Sequence, residues 1–191
     1  MKINHIFFDL DHTLWDFERN SDLAFNAVFN KHNIKVNLAT FLTYYKQINF
    51  EYWKQYRNEK VTKEELRFGR LNDTFVKINV KISKEIIAQI ATDYIIELPK
   101  NNHLFEGAHE ILEYLKPKYK LHIITNGFSE VQSFKLKNSN LNSYFQQIIT
   151  SEQIGVKKPN PKIFSHALKK ANATFQESIM IGDNWEADIM G

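Results

Sequence analysis

Residues 3–13 read Ile3-Asn4-His5-Ile6-Phe7-Phe8-Asp9-Leu10-Asp11-His12-Thr13. The run INHIFF is short and apolar, the pattern of a buried strand, and it stops on two carboxylates at i and i+2. A strand ending there places Asp9 and Asp11 where an open α/β sheet gathers its ligands, beyond the C-terminal ends of its strands. Taken alone, the pair also fits two solvated loop aspartates.

Outward from this stretch the periodicity changes twice. Residues 20–98 read as helical almost throughout: Leu38, Phe41, Leu42, Tyr45, Ile48 and Tyr52 share one helical face. Thr62 to Glu65 has the spacing of a capping box, followed by Phe68, Leu71, Phe75 and Ile78 on one face, and Ser83 stands as N-cap before Ile86, Ile87, Ile90 and Tyr94. From about residue 103 helices and strands alternate. A helix over 107–116 precedes the strand KLHIIT ending at Thr125. Ser129 to Gln132 has capping-box spacing for a helix over 130–138. The strand QQIIT, a helix over 161–171 opened by Pro161, and the strand SIMIG ending at Asp183 follow. Such alternation implies right-handed crossovers and a parallel sheet. The expected fold is a Rossmann-like α/β core over 1–15 and 103–191, interrupted by an all-helical insert over 16–102.

Three further clusters join Asp9 and Asp11, each at a strand end or in a loop before a helix. Thr125-Asn126-Gly127 offers a hydroxyl and backbone N–H groups suited to phosphate oxygens, although a lone TNG is also an ordinary turn. Lys157-Lys158-Pro159-Asn160-Pro161 aims a lysine from a proline-stiffened loop. Gly182-Asp183-Asn184-Trp185-Glu186-Ala187-Asp188 sets carboxylates at another strand end, where Mg²⁺, a hard cation, would find oxygen ligands; an N-cap aspartate is the plainer reading. Four clusters in this order on successive strand ends are hard to explain as four coincidences.

Composition narrows the classes. The 191 residues contain no cysteine, which excludes a disulfide framework, a zinc–thiolate site and a cysteine nucleophile. With 43% hydrophobic and 14% aromatic residues, the chain is able to build a sizeable core. The formal net charge of +3 comes from lysines scattered among polar residues rather than clustered, so no nucleic-acid polymer is expected as partner. The N-terminal run is too short and too acidic for a signal peptide, and no membrane span is visible. A cytoplasmic protein, monomer or homodimer, is expected.

DLDHT, TNG, GVKKPNP and GDNWEAD, in that order, closely resemble the four motifs of the haloacid dehalogenase superfamily, and the helical insert resembles its C1-type cap. DLDHTLWDF, ITNGF and SEQIGVKKPNPKIF are similar to the pyrimidine 5′-nucleotidase-like branch. The resemblance implies a Mg²⁺-dependent phosphatase. Asp9 would be the nucleophile that becomes aspartyl-phosphate and Asp11 the general acid and base. Thr125 and Lys158 would hold the phosphate, with added contacts from Asn126 and Gly127. Asp183 would bind Mg²⁺ with Asp9 and the backbone carbonyl of Asp11, and Asp188 would orient the metal site or Lys158. Dehalogenases of this fold lack the second aspartate, because a halide needs no proton on leaving; Asp11 therefore favours phosphoryl transfer. The substrate implied is a small phosphate monoester, a nucleoside 5′-monophosphate first and a sugar phosphate or other small metabolite, or a phosphomutase reaction, second. For the substrate pocket, Trp15 is expected at the hinge into the cap, with Trp53, Tyr56 and Arg57 as a second cluster. Members of the family usually continue beyond a point equivalent to Gly191 with the rest of a helix and at least one more strand, so the chain is expected to be a fragment or cut short.

Overall fold

The computed structural model describes residues 2–191. Its centre is a four-stranded, wholly parallel sheet in the order β3-β2-β1-β4, built from β1 (His5–Phe8), β2 (Lys120–Thr125), β3 (Phe145–Thr150) and β4 (Ser178–Ile181). All four residues of β1 are buried, as a strand covered on both faces requires. The register sets Phe8 opposite Ile123 on one side and Ile181 on the other. The residues that follow these partners, Asp9, the Thr125 loop and Asp183, therefore leave the sheet at one end. The Asp9 N–H donates to the Ile181 carbonyl at 2.8 Å, which carries the pairing one step past the strand.

The sheet unit comprises the residues up to Asn20 together with Pro99–Gly191. Its helices are α5 (Ala108–Leu115), α6 (Ser129–Asn138), the single turn α7 (Ser151–Ile154) and α8 (Pro161–Ala171), and a short π-helical turn spans Trp185–Ile189. Asn160 caps α8 by accepting from the Lys162 N–H at 3.0 Å, and Pro161 occupies its first turn, where a missing N–H costs nothing. Ile163, Ala167 and Ala171 then recur at helical spacing and bury against Phe7, Ile124 and Ile149.

The second unit, Ser21–Leu98, is wholly helical. It holds most of α1 (Phe17–Lys31), then α2 (Leu38–Arg57), α3 (Lys63–Lys77) and α4 (Lys84–Glu97). Each of the last three starts on a side-chain cap: Asn37, the Thr62–Glu65 capping box, and Ser83. The unit's core is aromatic. Phe25 lies 5.1 Å from Phe41 and 4.3 Å from Tyr94, ring centre to ring centre, and the buried Arg70 guanidinium sits 5.3 Å from the Tyr94 ring. Aromatics such as Tyr45 are thus committed to packing.

The unit limits fall close to those expected, and one local expectation needs correction. The units divide at Asn20 and Pro99, inside the expected limits of 15 and 103. The reason is local: the Asn20 amide donates to the carbonyls of Asp16 and His103, both at 2.8 Å, and accepts from the His103 N–H at 3.0 Å, which ties both connecting segments to the sheet unit. Ser129 and Gln132 do not form a capping box. Phe128 is the N-cap of α6 and makes no side-chain cap, the Ser129 hydroxyl is bonded to Thr150 at 2.6 Å, and Gln132 is engaged elsewhere.

Candidate active site

Asp9 is 8% exposed. Its Oδ1 accepts from Lys158 Nζ at 2.6 Å. The same ammonium donates to Asp188 Oδ1 at 2.6 Å and to the Ile124 carbonyl at 2.7 Å, so all three of its N–H donors are used. Asp188 is fixed in turn, its Oδ2 accepting from the Asn184 N–H at 3.0 Å. The loop bearing Lys158 is pinned by Asn126: the Lys158 N–H donates to Asn126 Oδ1 at 2.8 Å, and Asn126 Nδ2 donates back to the Lys158 carbonyl at 3.0 Å. The Asn126 side-chain amide is therefore occupied in holding the backbone of Lys158.

Burial pushes the Asp9 carboxyl up to about 7, against the pull of Lys158 and with the help of Asp188 and Asp11. Burial works against the charge on Lys158, but Asp9 and Asp188 outweigh it and hold the ammonium above its ordinary range. Asp183 is solvent-exposed as a residue, yet the protein around its carboxyl raises its pKa, with His12 opposing and Asp188 adding to the rise. Three like charges crowd one another here, and a cation would relieve them.

Carboxylate oxygens of Asp9, Asp183 and Asp188 lie within 4.8 Å of one another. Hard oxygen donors so close suit Mg²⁺. Both Asp188 oxygens are already engaged, so Asp9 and Asp183 are the pair fitted to hold the ion and Asp188 supports them.

The loop after Asp9 is tightly wound. The Leu10 carbonyl accepts from the N–H groups of Leu14 and Trp15 at 3.0 and 2.9 Å, and His12 takes a left-handed φ of 64°. Asp11 leaves this turn toward α6, where Oδ2 accepts from Gln132 Nε2 at 2.9 Å and Oδ1 pairs with Lys135 Nζ at 2.5 Å. Gln132 Nε2 also lies 2.8 Å from Thr125 Oγ1, which accepts from the Gly127 N–H at 3.0 Å as well. Gln132 and Lys135 escaped the sequence reading. Their one signal was spacing: polar residues at i and i+3 share a helical face with Val131 and Leu136, the other buried residues of α6.

The pocket residues fare differently. Trp15 has no exposed surface, so it is core beneath Lys135 rather than a wall open to a ligand. Trp53, Tyr56 and Arg57 lie on α2 of the helical unit; the Trp53 and Tyr56 rings meet edge to face at 5.6 Å, and Tyr56 is buried. Among the described residues no helix is long and apolar enough to cross a membrane.

Comparison with known proteins agrees with this architecture. The family model described as haloacid dehalogenase-like hydrolase matches residues 3–191. Pyrimidine 5′-nucleotidase YjjG of Escherichia coli K12 is 34% identical over 194 residues, covering 100% of this chain and 82% of its own length. Glyceraldehyde 3-phosphate phosphatase of Pyrococcus abyssi is 36% identical over 196 residues, covering 99% of this chain and 76% of its own. A crystal structure of the HAD-hydrolase YfnB from Bacillus subtilis, bound to magnesium, superposes with a TM-score of 0.89 at 27% identity and covers 100% of this chain and 84% of that one. With its carboxylate-rich site at the end of a parallel sheet, the chain belongs to the haloacid dehalogenase-like hydrolases.

Proposed function

We propose that the protein is a Mg²⁺-dependent phosphatase of small phosphate monoesters, acting through an aspartyl-phosphate on Asp9. One observation carries this reading: a fully ligated lysine, Lys158, clamps a buried carboxylate, while a second carboxylate two residues on, Asp11, rests on donors of its own. The first is built to meet an anionic phosphoryl group, and the second to move a proton.

In the first displacement an Asp9 oxygen attacks phosphorus, the bond from phosphorus to the leaving oxygen breaks, and that oxygen takes a proton from Asp11. In the second, water attacks the aspartyl-phosphate, the bond from phosphorus to Asp9 breaks, and the proton of the water passes to Asp11. Lys158 offsets the repulsion between the Asp9 carboxylate and the phosphoryl oxygens, and the Thr125 loop lies beside it. Bound by Asp9, Asp183 and the Asp11 backbone carbonyl, Mg²⁺ would neutralise charge on the phosphoryl oxygens. Relatives named for nucleotide and triose-phosphate dephosphorylation support a monoester substrate.

Within that class we favour a nucleoside 5′-monophosphate, on the similarity to a pyrimidine 5′-nucleotidase across the whole chain. The comparable identity to a glyceraldehyde 3-phosphate phosphatase makes a small sugar phosphate the second reading. Phosphate release from a panel of nucleoside monophosphates and sugar phosphates with Mg²⁺ decides between them. Preference for pyrimidine monophosphates is expected, and preference for trioses reverses the order. Asp9→Asn is expected to abolish turnover with the fold intact, and turnover retained in that variant rules out the covalent mechanism.

A further inference from the structure

Lys135 has an unusual position for a residue of a surface helix. Its side chain is 2% exposed, its Nζ lies 4.2 Å from the centre of the Trp15 ring and 5.3 Å from that of Phe17, and it pairs with Asp11 Oδ1 at 2.5 Å. A lysine placed there gives up hydration, which must be recovered from the carboxylate and the aromatic faces. Gln132, one turn earlier on α6, donates to the other Asp11 oxygen and reaches Thr125 Oγ1. Both oxygens of Asp11 are thus held by side chains of one helix, whereas Asp9 is held by a different lysine from a different loop. The Asp11 side chain keeps 22% of its surface exposed, so the carboxyl group stays reachable while its orientation is set.

We propose that Lys135 is the positioning residue for the proton-transfer step. Braced on the indole of Trp15, it fixes Asp11 through Oδ1, so that Oδ2, released by Gln132 when it carries the proton, gives that proton to the leaving oxygen in the first displacement and takes one from the attacking water in the second. This rests on the phosphatase reading above and adds to it a division of labour: Lys158 serves the nucleophile and the phosphoryl group, and Lys135 serves the acid and base. It also gives Trp15 a purpose that a pocket wall would not, as the rigid floor that stops Nζ from swinging away. Misplacing a reacting group by about 1 Å can cost roughly 10²-fold in rate.

The test uses two esters that differ in whether the departing oxygen needs a proton. An alkyl phosphate such as a nucleoside 5′-monophosphate needs one; p-nitrophenyl phosphate, whose phenolate leaves readily, needs it far less. Lys135→Met is examined by rapid mixing with each ester in the presence of Mg²⁺. With p-nitrophenyl phosphate the variant is expected to release about one nitrophenolate per enzyme in a fast burst, then turn over slowly, because phosphoryl transfer survives while hydrolysis of the aspartyl-phosphate loses its base. With the alkyl ester it is expected to lose roughly 10²-fold in kcat, with KM little changed, and to show no burst. The burst counts folded sites, so a structural defect cannot imitate it. Lys135→Arg, which keeps the charge and the stacking on Trp15, is expected to recover much of the alkyl-ester rate. The proposal fails if Lys135→Met hydrolyses the alkyl ester at the wild-type rate. It fails equally if both variants lose burst and turnover on the two esters in parallel. If the unmodified protein releases phosphate from neither ester, the phosphatase reading itself is what falls.

Discussion

With 2% of its side chain exposed, Lys158 has traded its hydration for three protein oxygens, and two of these belong to carboxylates that are themselves buried. A buried ion pair gains little over an apolar substitute of equal volume, but removing one partner strands the other, at a cost of about 3–5 kcal/mol. Lys158→Met strands two. The sign of its pH dependence follows from the acids. Burial already raises the Asp9 carboxyl and Lys158 opposes that rise, so without the ammonium Asp9 prefers the protonated form in the folded chain more strongly still than in the unfolded one. Raised folded pKa values contribute stability at low pH that is lost as pH rises through the window above about 4, the unfolded value. Lys158→Met is therefore expected to unfold at lower urea concentration than the wild type, with a defect markedly larger at pH 8 than at pH 5, in metal-free buffer. An equal defect at both pH values would mean that Lys158 acts through packing rather than charge.

At the scale of elements, the site depends on how closely the loops after β2 and β4 approach their neighbours. A Cβ on Gly182 would collide with the Asp188 carboxyl group, and one on Gly127 would collide with the Gln132 amide. Neither glycine is needed for a left-handed turn; each makes room for a polar side chain that holds a residue of the candidate site, Asp188 on Lys158 and Gln132 on Asp11. Gly182→Ala is expected to push Asp188 off Lys158 and lower kcat by about 10-fold to 10²-fold with little change in KM; unchanged kcat would show that Asp188 is not needed to hold the lysine. Elements of this kind were unevenly legible in the sequence. Strands β1 to β4 were readable because short apolar runs ended at polar turns, and α2, α3 and α4 because their caps and apolar faces agreed. Asp9, Asp11 and Asp183 were legible as candidates because they follow strand ends, where ligands gather in open α/β sheets, and Lys158 because its loop, stiffened by Pro159 and Pro161, precedes a helix. Gln132 and Lys135 were hidden because they lie mid-helix, where a buried polar side chain looks like an exposed one until its partner is known. Trp15 misled for a related reason: its place beside the nucleophile loop was visible, but not the lysine that covers it. The division at Asn20 turns on an amide bonded to His103, a contact 83 positions away that no local pattern contains.

At the scale of the whole molecule, two groups of buried titratable residues in the sheet unit pull stability in opposite directions with pH. His5 and His122 lie side by side in the sheet, 3.0 Å between ring nitrogens, with His122 also stacked on Phe7. Burial, with Lys120 and the neighbouring ring adding to it, lowers His122 to about 4. Burial and Lys120 lower His5 as well, against Glu177. A base with a lowered folded pKa is neutral when folded and charged when unfolded, so this pair withdraws stability as pH falls from about 6.5 toward 4. Asp9 does the reverse. Pushed up to about 7, it holds a proton in the folded state that the unfolded state has already released, and stability falls as pH rises from about 4 to 7. The two trends overlap in one window, which predicts a flat profile for the metal-free protein. A divalent cation held by Asp9 and Asp183 competes with that proton and acts on only one of the two trends. Mg²⁺ is therefore expected to raise the melting temperature little at pH 5 and most at pH 8, by an amount that grows with RT ln(1 + [Mg²⁺]/Kd). Asp9→Asn removes both the proton and the ligand, so it is expected to raise the metal-free melting temperature at pH 8 and to blunt the response to Mg²⁺. Thermal unfolding of both proteins at pH 5 and pH 8, with Mg²⁺ and with EDTA, measures all of this at once. A Mg²⁺ effect independent of pH would place the cation away from Asp9.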